Sequence, residues 1–501
     1  MTHILHLYLT ILTTILPITV SPRHYEKFFE VNGGPKYMYY YTKFTVGNPG
    51  STQSAIIDTG SDTLAFPCDH CRSHNCGTHQ DPRFITKKSK TFNYEVKCPK
   101  HIFYQHHKVC QFVKQYAEGS TLLGFLAKDY IKFKNARKVN DPKLRHFNSY
   151  LKKDLKLKAE FGCTTKETGL FKDQYADGII GLDQKSGFIK SMEDFNDKKE
   201  ARVFSFGLCF HSTGGIMSID LRHQNKPDDK IVMLNKAITD MKPPLEADFT
   251  TDSNYYQIQV SRFSIWEGPS EHTNLTELKP ISVMIDSGTT FTHLPDFYLS
   301  HILKMLSEYC NEKEERCGRV PNPVFSPNSC LELSQPDDYF KNETELLNSF
   351  PDIKLHLGED RRPYTLRPKN YFYKEYIENP TEDEKNIIRL CLALKGKENN
   401  RIILGAFGMI DYYFYFDRKV NRLKVFEEDC YVRTNEILKR RVRILEAIIP
   451  QELNMKVKAR PALSIALLIS VIGAGVCLYL FTRKREKEVD NKESLSEPEI
   501  K

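Results

Sequence analysis

The chain has 501 residues, of which 40% are hydrophobic and 12% aromatic, so it is long enough for two or three domains and is unlike a disordered protein. Its net charge of +8 comes from 72 basic and 64 acidic residues, a mild balance for this length. No basic stripe is interleaved with aromatic residues, which argues against nucleic acid as a partner.

The N-terminal residues are apolar and uncharged over residues 1–20, which predicts a signal peptide. Lys and Arg are missing from its first residues, so an uncleaved signal anchor is the alternative. Residues 21–36 are expected to form a short connector. The main part of the chain is therefore expected to enter the secretory pathway.

Two predicted strands lead into the first motif of interest. Residues 37–46 and 54–57 have the apolar and alternating patterns of strands, and Gly, Asn and Pro at residues 47–50 indicate a turn between them. The second strand ends at Asp58, which begins the sequence Asp-Thr-Gly-Ser. A second apolar run, at residues 284–285, leads in the same way into Asp286 and the sequence Asp-Ser-Gly-Thr.

Two such motifs predict a duplicated fold that brings two carboxylates together. A close pair cannot easily ionise twice, so it shares one proton and titrates as a unit. The ionised member can take a proton from water while the protonated member binds a carbonyl oxygen. We expect the neighbouring glycines to allow tight turns and the neighbouring hydroxyls to hold the carboxylates in a plane. The supporting residues are Thr59, Gly60, Ser61, Ser287, Gly288 and Thr289.

A cysteine-rich insert follows Asp58. Residues 68–79 contain three cysteines and three histidines. A zinc site with a Cys-x2-Cys pair is one interpretation; disulfides are the other, and a secretory setting favours them. The histidines would then be exposed loop residues. Of the 13 cysteines, only Cys477 lies in the apolar segment near the C-terminus, so the other twelve allow up to six disulfides. No metal site is predicted.

The C-terminal part predicts a membrane anchor. Residues 462–481 carry no charge, a length that crosses a bilayer as a helix. Residues 432–461 would form a charged stalk before it, and residues 482–501 a cytosolic tail that begins with a basic run. With a cleaved signal peptide, the chain is a single-pass type I protein whose bulk is lumenal.

The paired Asp motifs, each followed by an apolar-apolar-Gly segment at residues 177–182 and 401–407, resemble the pepsin-like aspartic proteases. The resemblance covers residues 37–430. It implies a mostly β, bilobal fold with an N-terminal lobe at 37–235 and a C-terminal lobe at 236–431, in addition to the C-terminal transmembrane helix. It implies Asp58 and Asp286 as the catalytic residues, and no cofactor.

The cysteine-rich insert resembles that of nepenthesin-type proteases and of the plasmepsin V family of apicomplexan parasites. The C-terminal span, the short segment before the first strand and the sequence at Tyr116 favour the second family. The resemblance implies that Tyr116 lies in a flap over the dyad, that Glu118 binds a substrate arginine, and that Gln174 assists it. An ordinary strand tyrosine and a solvated hairpin charge are the alternatives for Tyr116 and Glu118.

The motifs and this resemblance together predict an aspartic endopeptidase of the endoplasmic reticulum membrane. By resemblance, its substrates are secretory polypeptides, cleaved after Leu in Arg-x-Leu export motifs. One alternative is a membrane-bound protease of broader specificity, of the Golgi or β-secretase type. The other is a non-catalytic binding protein on the same scaffold.

Overall fold

The computed structural model describes most of the chain between Tyr25 and Leu438. The described residues are 25–72, 74–98, 101–104, 106–136, 154–194, 202–223, 243–266, 274–275, 281–320, 323–327, 329–334, 343–357, 362–375, 387–398 and 400–438. The predicted signal peptide, transmembrane helix and cytosolic tail lie outside them, as does the predicted boundary between the lobes. In the described ranges, no helix combines the length and apolar character that a bilayer crossing requires.

The described residues form mainly β-strands, which we number in chain order. The strands are β1 (Tyr25–Gly34), β2 (Tyr39–Val46), β3 (Ser51–Asp58), β4 (Leu64–Pro67), β5 (His101–Tyr104), β6 (His107–Gln115), β7 (Thr121–Phe133), β8 (Leu155–Glu167), β9 (Gly178–Gly181), β10 (Arg202–His211), β11 (Gly214–His223), β12 (Leu245–Asp248), β13 (Gln257–Trp266), β14 (Asn274–Leu275), β15 (Ile281–Ile285), β16 (Thr292–Pro295), β17 (Cys330–Ser334), β18 (Asp352–Leu357), β19 (Tyr364–Leu366), β20 (Phe372–Glu375), β21 (Ile387–Leu392), β22 (Leu394–Lys397), β23 (Arg401–Leu404), β24 (Tyr412–Asp417) and β25 (Arg422–Glu427). The helices are α1 (Gly187–Asp194), α2 (Asp296–Glu312), α3 (Glu343–Asn348), α4 (Pro368–Tyr371) and α5 (430–438).

The strands form three sheets. The largest has 14 strands in the order β12-β25-β24-β10-β11-β1-β2-β3-β9-β4-β8-β7-β6-β5. The second has the order β19-β18-β13-β15-β23-β16-β22, with β14 beside β13, and the third has the order β17-β21-β20. The segment predicted as a connector contains β1, which pairs with β11 on one side and β2 on the other.

One strand arrangement occurs twice. In the first half, β3 runs parallel to β9, β9 is antiparallel to β4, and β4 is parallel to β8. In the second half, β15, β23, β16 and β22 repeat these three pairings in the same directions. The two-lobed, mostly β fold predicted from the paired motifs is therefore confirmed, and each copy ends its first strand at an Asp motif.

The two halves share a sheet and a core. Strand β10 of the first half pairs with β24 of the second. One buried apolar cluster extends from Phe29 in β1 to Val425 in β25 and includes Ile57 and Ile285, the residues just before the two aspartates. Burial in this shared core therefore fixes the apolar strands that precede the two Asp motifs.

The twelve cysteines in the described residues form six disulfides. The pairs are Cys68–Cys163, Cys71–Cys76, Cys98–Cys110, Cys209–Cys430, Cys310–Cys317 and Cys330–Cys391. The disulfide interpretation of the insert is confirmed. The prediction that its histidines are exposed is wrong for two of the three, because the side chains of His70 and His79 are each only 3% exposed, whereas His74 is exposed.

Candidate active site

Asp58 and Asp286 lie at corresponding positions of the repeated arrangement. Asp58 ends β3 and Asp286 follows β15 directly, and the two residues are only 4% and 8% exposed. The carboxylate of Asp58 accepts hydrogen bonds from the Gly60 N–H, at 2.8 Å, and from the Ser61 hydroxyl. Both bonds favour the ionised carboxylate and fix its orientation.

The second aspartate has the equivalent partners. The Gly288 N–H donates to Oδ1 of Asp286 at 3.0 Å, and the Thr289 hydroxyl donates to Oδ2 at 2.7 Å. Ser61 and Thr289 therefore do what the motif predicts for its hydroxyls, one in each lobe.

The other two hydroxyls have a different role from the predicted one. Oγ1 of Thr59 donates to the Ile285 carbonyl at 2.8 Å, and Oγ of Ser287 donates to the Ile57 carbonyl at 2.7 Å. Each oxygen also accepts the backbone N–H of the other residue, at 2.9 and 3.1 Å. These four buried bonds join the two lobes directly beneath the carboxylates, so Thr59 and Ser287 hold the Asp loops together and do not donate to the carboxylates.

Gly60 and Gly288 allow the two loops to approach. A Cβ atom on Gly60 would lie 2.5 Å from Oδ1 of Asp286, and a Cβ on Gly288 would overlap the carboxyl group of Asp58. Neither glycine has a positive φ. The reason for glycine here is thus the close approach of the opposite aspartate, and the tight turn predicted from sequence is not what excludes other residues.

The environment favours retention of a proton by the pair. Burial, followed by the negative charge of Asp286, raises the pKa of Asp58 well above its usual value, and the bonds from Ser61 and Gly60 oppose this only in part. The arrangement can hold one proton and one negative charge, which is what activation of water against a carbonyl group requires.

A hairpin formed by β6 and β7 places Tyr116 near the dyad. At its tip, the Tyr116 N–H donates to the Ser120 carbonyl at 2.9 Å, and Gly119 adopts the left-handed region at φ +95°. The Tyr116 ring packs edge-on against Phe171 with ring centroids 4.9 Å apart. Burial and the negative charge of Asp58 raise the pKa of the Tyr116 phenol, so the side chain lies within electrostatic reach of the dyad.

An ion pair that the motifs did not predict joins this flap to the first Asp loop. Nζ of Lys114 lies 2.7 Å from Oδ1 of Asp62. Although burial disfavours the Asp62 carboxylate, the Lys114 bond and charge lower its pKa. Side chains two residues apart in a strand point to the same face. The sequence signal for this ion pair was therefore the position of Lys114, two residues before Tyr116.

The residues predicted to select arginine lie on two different segments of the chain. Glu118 is exposed at the flap tip, and Gln174 is half-buried after a short turn at Gly169–Lys172. The Gln174 amide donates to the Ala176 carbonyl at 3.1 Å. Among the described residues, no hydrogen bond joins Glu118 to Gln174. Their role in binding substrate stays a prediction.

Comparison with known proteins supports the same fold. Two family models match, one described as the N-terminal part of a xylanase inhibitor, over residues 40–219, and one as its C-terminal part, over residues 255–427. Together they cover more than half of the chain and include both Asp motifs. Although that description names an inhibitor, both carboxyl groups are present here, and the relatives below are named as proteases.

Two relatives match over most of their length and a third over a shorter part. Plasmepsin V of Plasmodium falciparum is 23% identical over 463 residues, which covers 79% of this chain and 72% of the relative. Aspartyl protease family protein 1 of Arabidopsis thaliana is 24% identical over 409 residues, covering 78% and 68%. Aspartic protease 5 of Toxoplasma gondii is 28% identical over 205 residues, covering 36% and 19%. These likenesses confirm the resemblance that the Asp motifs and the insert predicted.

Proposed function

Because the chain belongs to the pepsin-like aspartic proteases and is an aspartic endopeptidase, we propose that it cleaves secretory proteins after Leu in Arg-x-Leu motifs. In this proposal residues 462–481 anchor it in the endoplasmic reticulum membrane, with both lobes in the lumen. The uncharged apolar segment and the six disulfides support a membrane-bound protein of an oxidising compartment. The Golgi is the alternative location.

The proposed reaction uses the two aspartates without a covalent intermediate. Burial and the charge of Asp286 raise the pKa of Asp58, so the pair keeps one shared proton in the free enzyme, and the protonated member donates a hydrogen bond to the scissile carbonyl. The ionised member of the pair takes a proton from a water molecule, which attacks the carbonyl carbon. The amide nitrogen then leaves with a proton from the dyad.

The proposed preference for a substrate arginine rests on the exposed carboxylate of Glu118. It lies two residues after the flap tyrosine, so closing of the flap brings it over a bound peptide. A carboxylate and a guanidinium form two parallel hydrogen bonds, a geometry that lysine cannot reproduce. The side-chain carbonyl oxygen (Oε1) of Gln174 can accept a further N–H from the same arginine.

The test compares Arg-x-Leu, Lys-x-Leu and Ala-x-Leu peptides with the full-length protein and its Glu118→Gln variant. We expect cleavage after Leu with Arg preferred over Lys by about 100-fold in kcat/KM, a preference that the variant loses. Glu308→Gln, an exposed substitution on α2, is the matched control. Equal cleavage of all three peptides would support the protease of broader specificity instead.

A further inference from the structure

His79, at the end of the cysteine-rich insert, has a buried side chain with two partners. Its Nε2 lies 2.9 Å from Oε2 of Glu167, and its Nδ1 lies 3.0 Å from the carbonyl oxygen of Gln174. The side chains of His79 and Glu167 are only 3% and 1% exposed. This contact joins the insert to β8 and to the segment that carries Gln174.

Both partners of the imidazole are hydrogen-bond acceptors. A carbonyl oxygen has no proton to donate, and Oε2 of Glu167 already accepts the Gly77 N–H at 3.0 Å, as an ionised carboxylate does. Each ring nitrogen must therefore carry a hydrogen, so His79 is an imidazolium in this geometry. Burial alone lowers the pKa of His79, but the bond to Glu167 and its charge outweigh burial and raise it.

The charges around His79 come from several elements. Glu167 lies on β8. Three further charged residues, Asp81, Arg83 and Asp177, line a cavity of about 360 Å³ that His79 also lines. Lys172 adds a cation on the other side of the insert, where it donates to the His74 carbonyl at 3.4 Å. Burial raises the pKa of Asp177 to about 6, so above this pH its charge favours the imidazolium too.

The segment that His79 contacts is fixed at several further points. The Gln80 N–H donates to the Tyr175 carbonyl at 2.9 Å. The Tyr39 hydroxyl accepts the N–H groups of Tyr175, at 2.7 Å, and Ala176, at 3.1 Å. The bond from His79 is the one among these that depends on a proton titrating near neutral pH.

We propose that His79 is a positioning residue, whose imidazolium holds the Gln174 segment in the geometry that receives the substrate arginine. This inference rests on the function proposed above. With a raised pKa, both bonds are complete below about pH 6.5, the ordinary value for histidine. A neutral His79 keeps its one N–H on Nε2, against the charged Glu167 carboxylate, so the bond from Nδ1 to the Gln174 carbonyl is lost as pH rises through the pKa of His79 in the folded protein. Preference for arginine therefore falls as pH rises.

The test measures kcat/KM for Arg-x-Leu and Ala-x-Leu peptides between pH 6.5 and 9 with the full-length protein. The ratio of the two values cancels the titration of the dyad. We expect the ratio to fall about tenfold through KM, the size of one lost hydrogen bond. His79→Gln should give the low ratio at every pH, with the Ala-x-Leu rate retained as evidence of folding, whereas His74→Gln should match the unmodified protein. A ratio that is constant with pH, or unchanged in His79→Gln, overturns the inference.

Failure of the proposed function gives a different result. If Arg-x-Leu and Ala-x-Leu are cleaved equally at every pH, selection of arginine is absent, and amide hydrogen exchange at residues 174–176 then tests the positioning role alone. After correction for intrinsic rates, protection there should decrease with rising pH and should already be low in His79→Gln. Protection that is unchanged by both pH and the substitution overturns positioning.

Discussion

Gly60 and Gly288 lie where each Asp loop faces the carboxyl group of the other lobe. The sequence identified both glycines, since they belong to the paired motifs, but it attributed them to turns. A close approach between residues from two halves of the chain requires the tertiary structure. The same limit explains why the sequence assigned all four hydroxyls to the carboxylates, whereas Thr59 and Ser287 bind backbone carbonyls across the lobes.

Replacement of Gly60 by alanine should separate the carboxylates. The added methyl group would lie 2.5 Å from Oδ1 of Asp286, a distance at which one group must move. We expect kcat to fall by about 100-fold or more, since displacements of about 1 Å carry such costs, together with a lower melting temperature. Gly187→Ala is the matched control, because nothing lies within 4 Å of the added atom. A Gly60→Ala protein with normal kcat would contradict the close approach.

Replacement of Asp58 by asparagine should abolish activity and stabilise the fold at neutral pH. Because burial and Asp286 raise the pKa of Asp58, the folded state binds this proton more tightly than the unfolded chain, whose value is about 3.9. The protonated carboxyl contributes its full stability below the unfolded pKa, and that contribution is lost as pH rises through the folded pKa. Asparagine carries no charge to bury.

The measurement is thermal unfolding of both proteins between pH 4 and 7. We expect Asp58→Asn to be more stable by roughly 1–3 kcal/mol at pH 7, with the difference shrinking toward pH 4. Asp252→Asn, an exposed position, should change little. An equal stability difference at both pH values would show that Asp58 is not the group that retains the proton.

The ion pair that links the flap to the first Asp loop could not be recognised from the sequence. Lys114 precedes a recognisable Tyr116, but a lone lysine on a strand is usually solvated. Its pairing with Asp62 depends on how the hairpin folds over the loop. His79 was misjudged for the same reason, since its two acceptors come from elements distant in sequence. Strand patterns predicted β2 and β3 well, because local alternation specifies them.

Replacement of Lys114 by methionine should weaken the attachment of the flap to the first Asp loop. Methionine keeps much of the side-chain length but removes the charge that pairs with Asp62. We expect KM to rise about two- to fivefold at low salt, with a smaller change in kcat. High salt should raise KM of the unmodified protein toward that of the variant, because salt screens this half-exposed pair.

The control is Lys304→Met, which breaks the exposed pair with Glu308 on α2. Exchange of the charges in a Lys114→Asp, Asp62→Lys double variant should restore part of the loss if the ion pair is the cause. If Lys114→Met behaves like Lys304→Met at every salt concentration, the pair does not control the flap.

At the scale of the whole molecule, the duplication was predictable and the connection between its halves was not. Two Asp motifs and two apolar-apolar-Gly segments implied the repeated strands β3–β9 and β15–β23. Nothing in the local pattern showed that β1 would complete the large sheet, or that β10 would pair with β24 of the other half. Such pairings join residues far apart in sequence and follow from the assembled fold.

The Cys209–Cys430 disulfide should contribute more stability than the disulfides that close short loops. Cys209 lies on β10 opposite Tyr413 of β24, and its partner begins α5. This bridge therefore fastens the second half of the chain to the sheet shared by both lobes. It spans 221 residues, against 7 for Cys310–Cys317. In the chain-entropy model, a longer closed loop restricts the unfolded state more strongly.

We compare two double variants, in which both cysteines of Cys209–Cys430 or both of Cys310–Cys317 are replaced by alanine. The first should lower the free energy of unfolding by about 3 kcal/mol more than the second, as measured by denaturant unfolding. The kcat of the folded Cys209–Cys430 variant should be retained, because the hydrogen bonds of Thr59 and Ser287 join the lobes at the dyad independently of it. Equal losses from the two variants would show that β10–β24 pairing and the buried core hold the halves together without help from the bridge. A large loss of kcat in the folded Cys209–Cys430 variant would instead show that the geometry of the dyad depends on the distant sheet, so that the four bonds beneath the carboxylates are insufficient to align them.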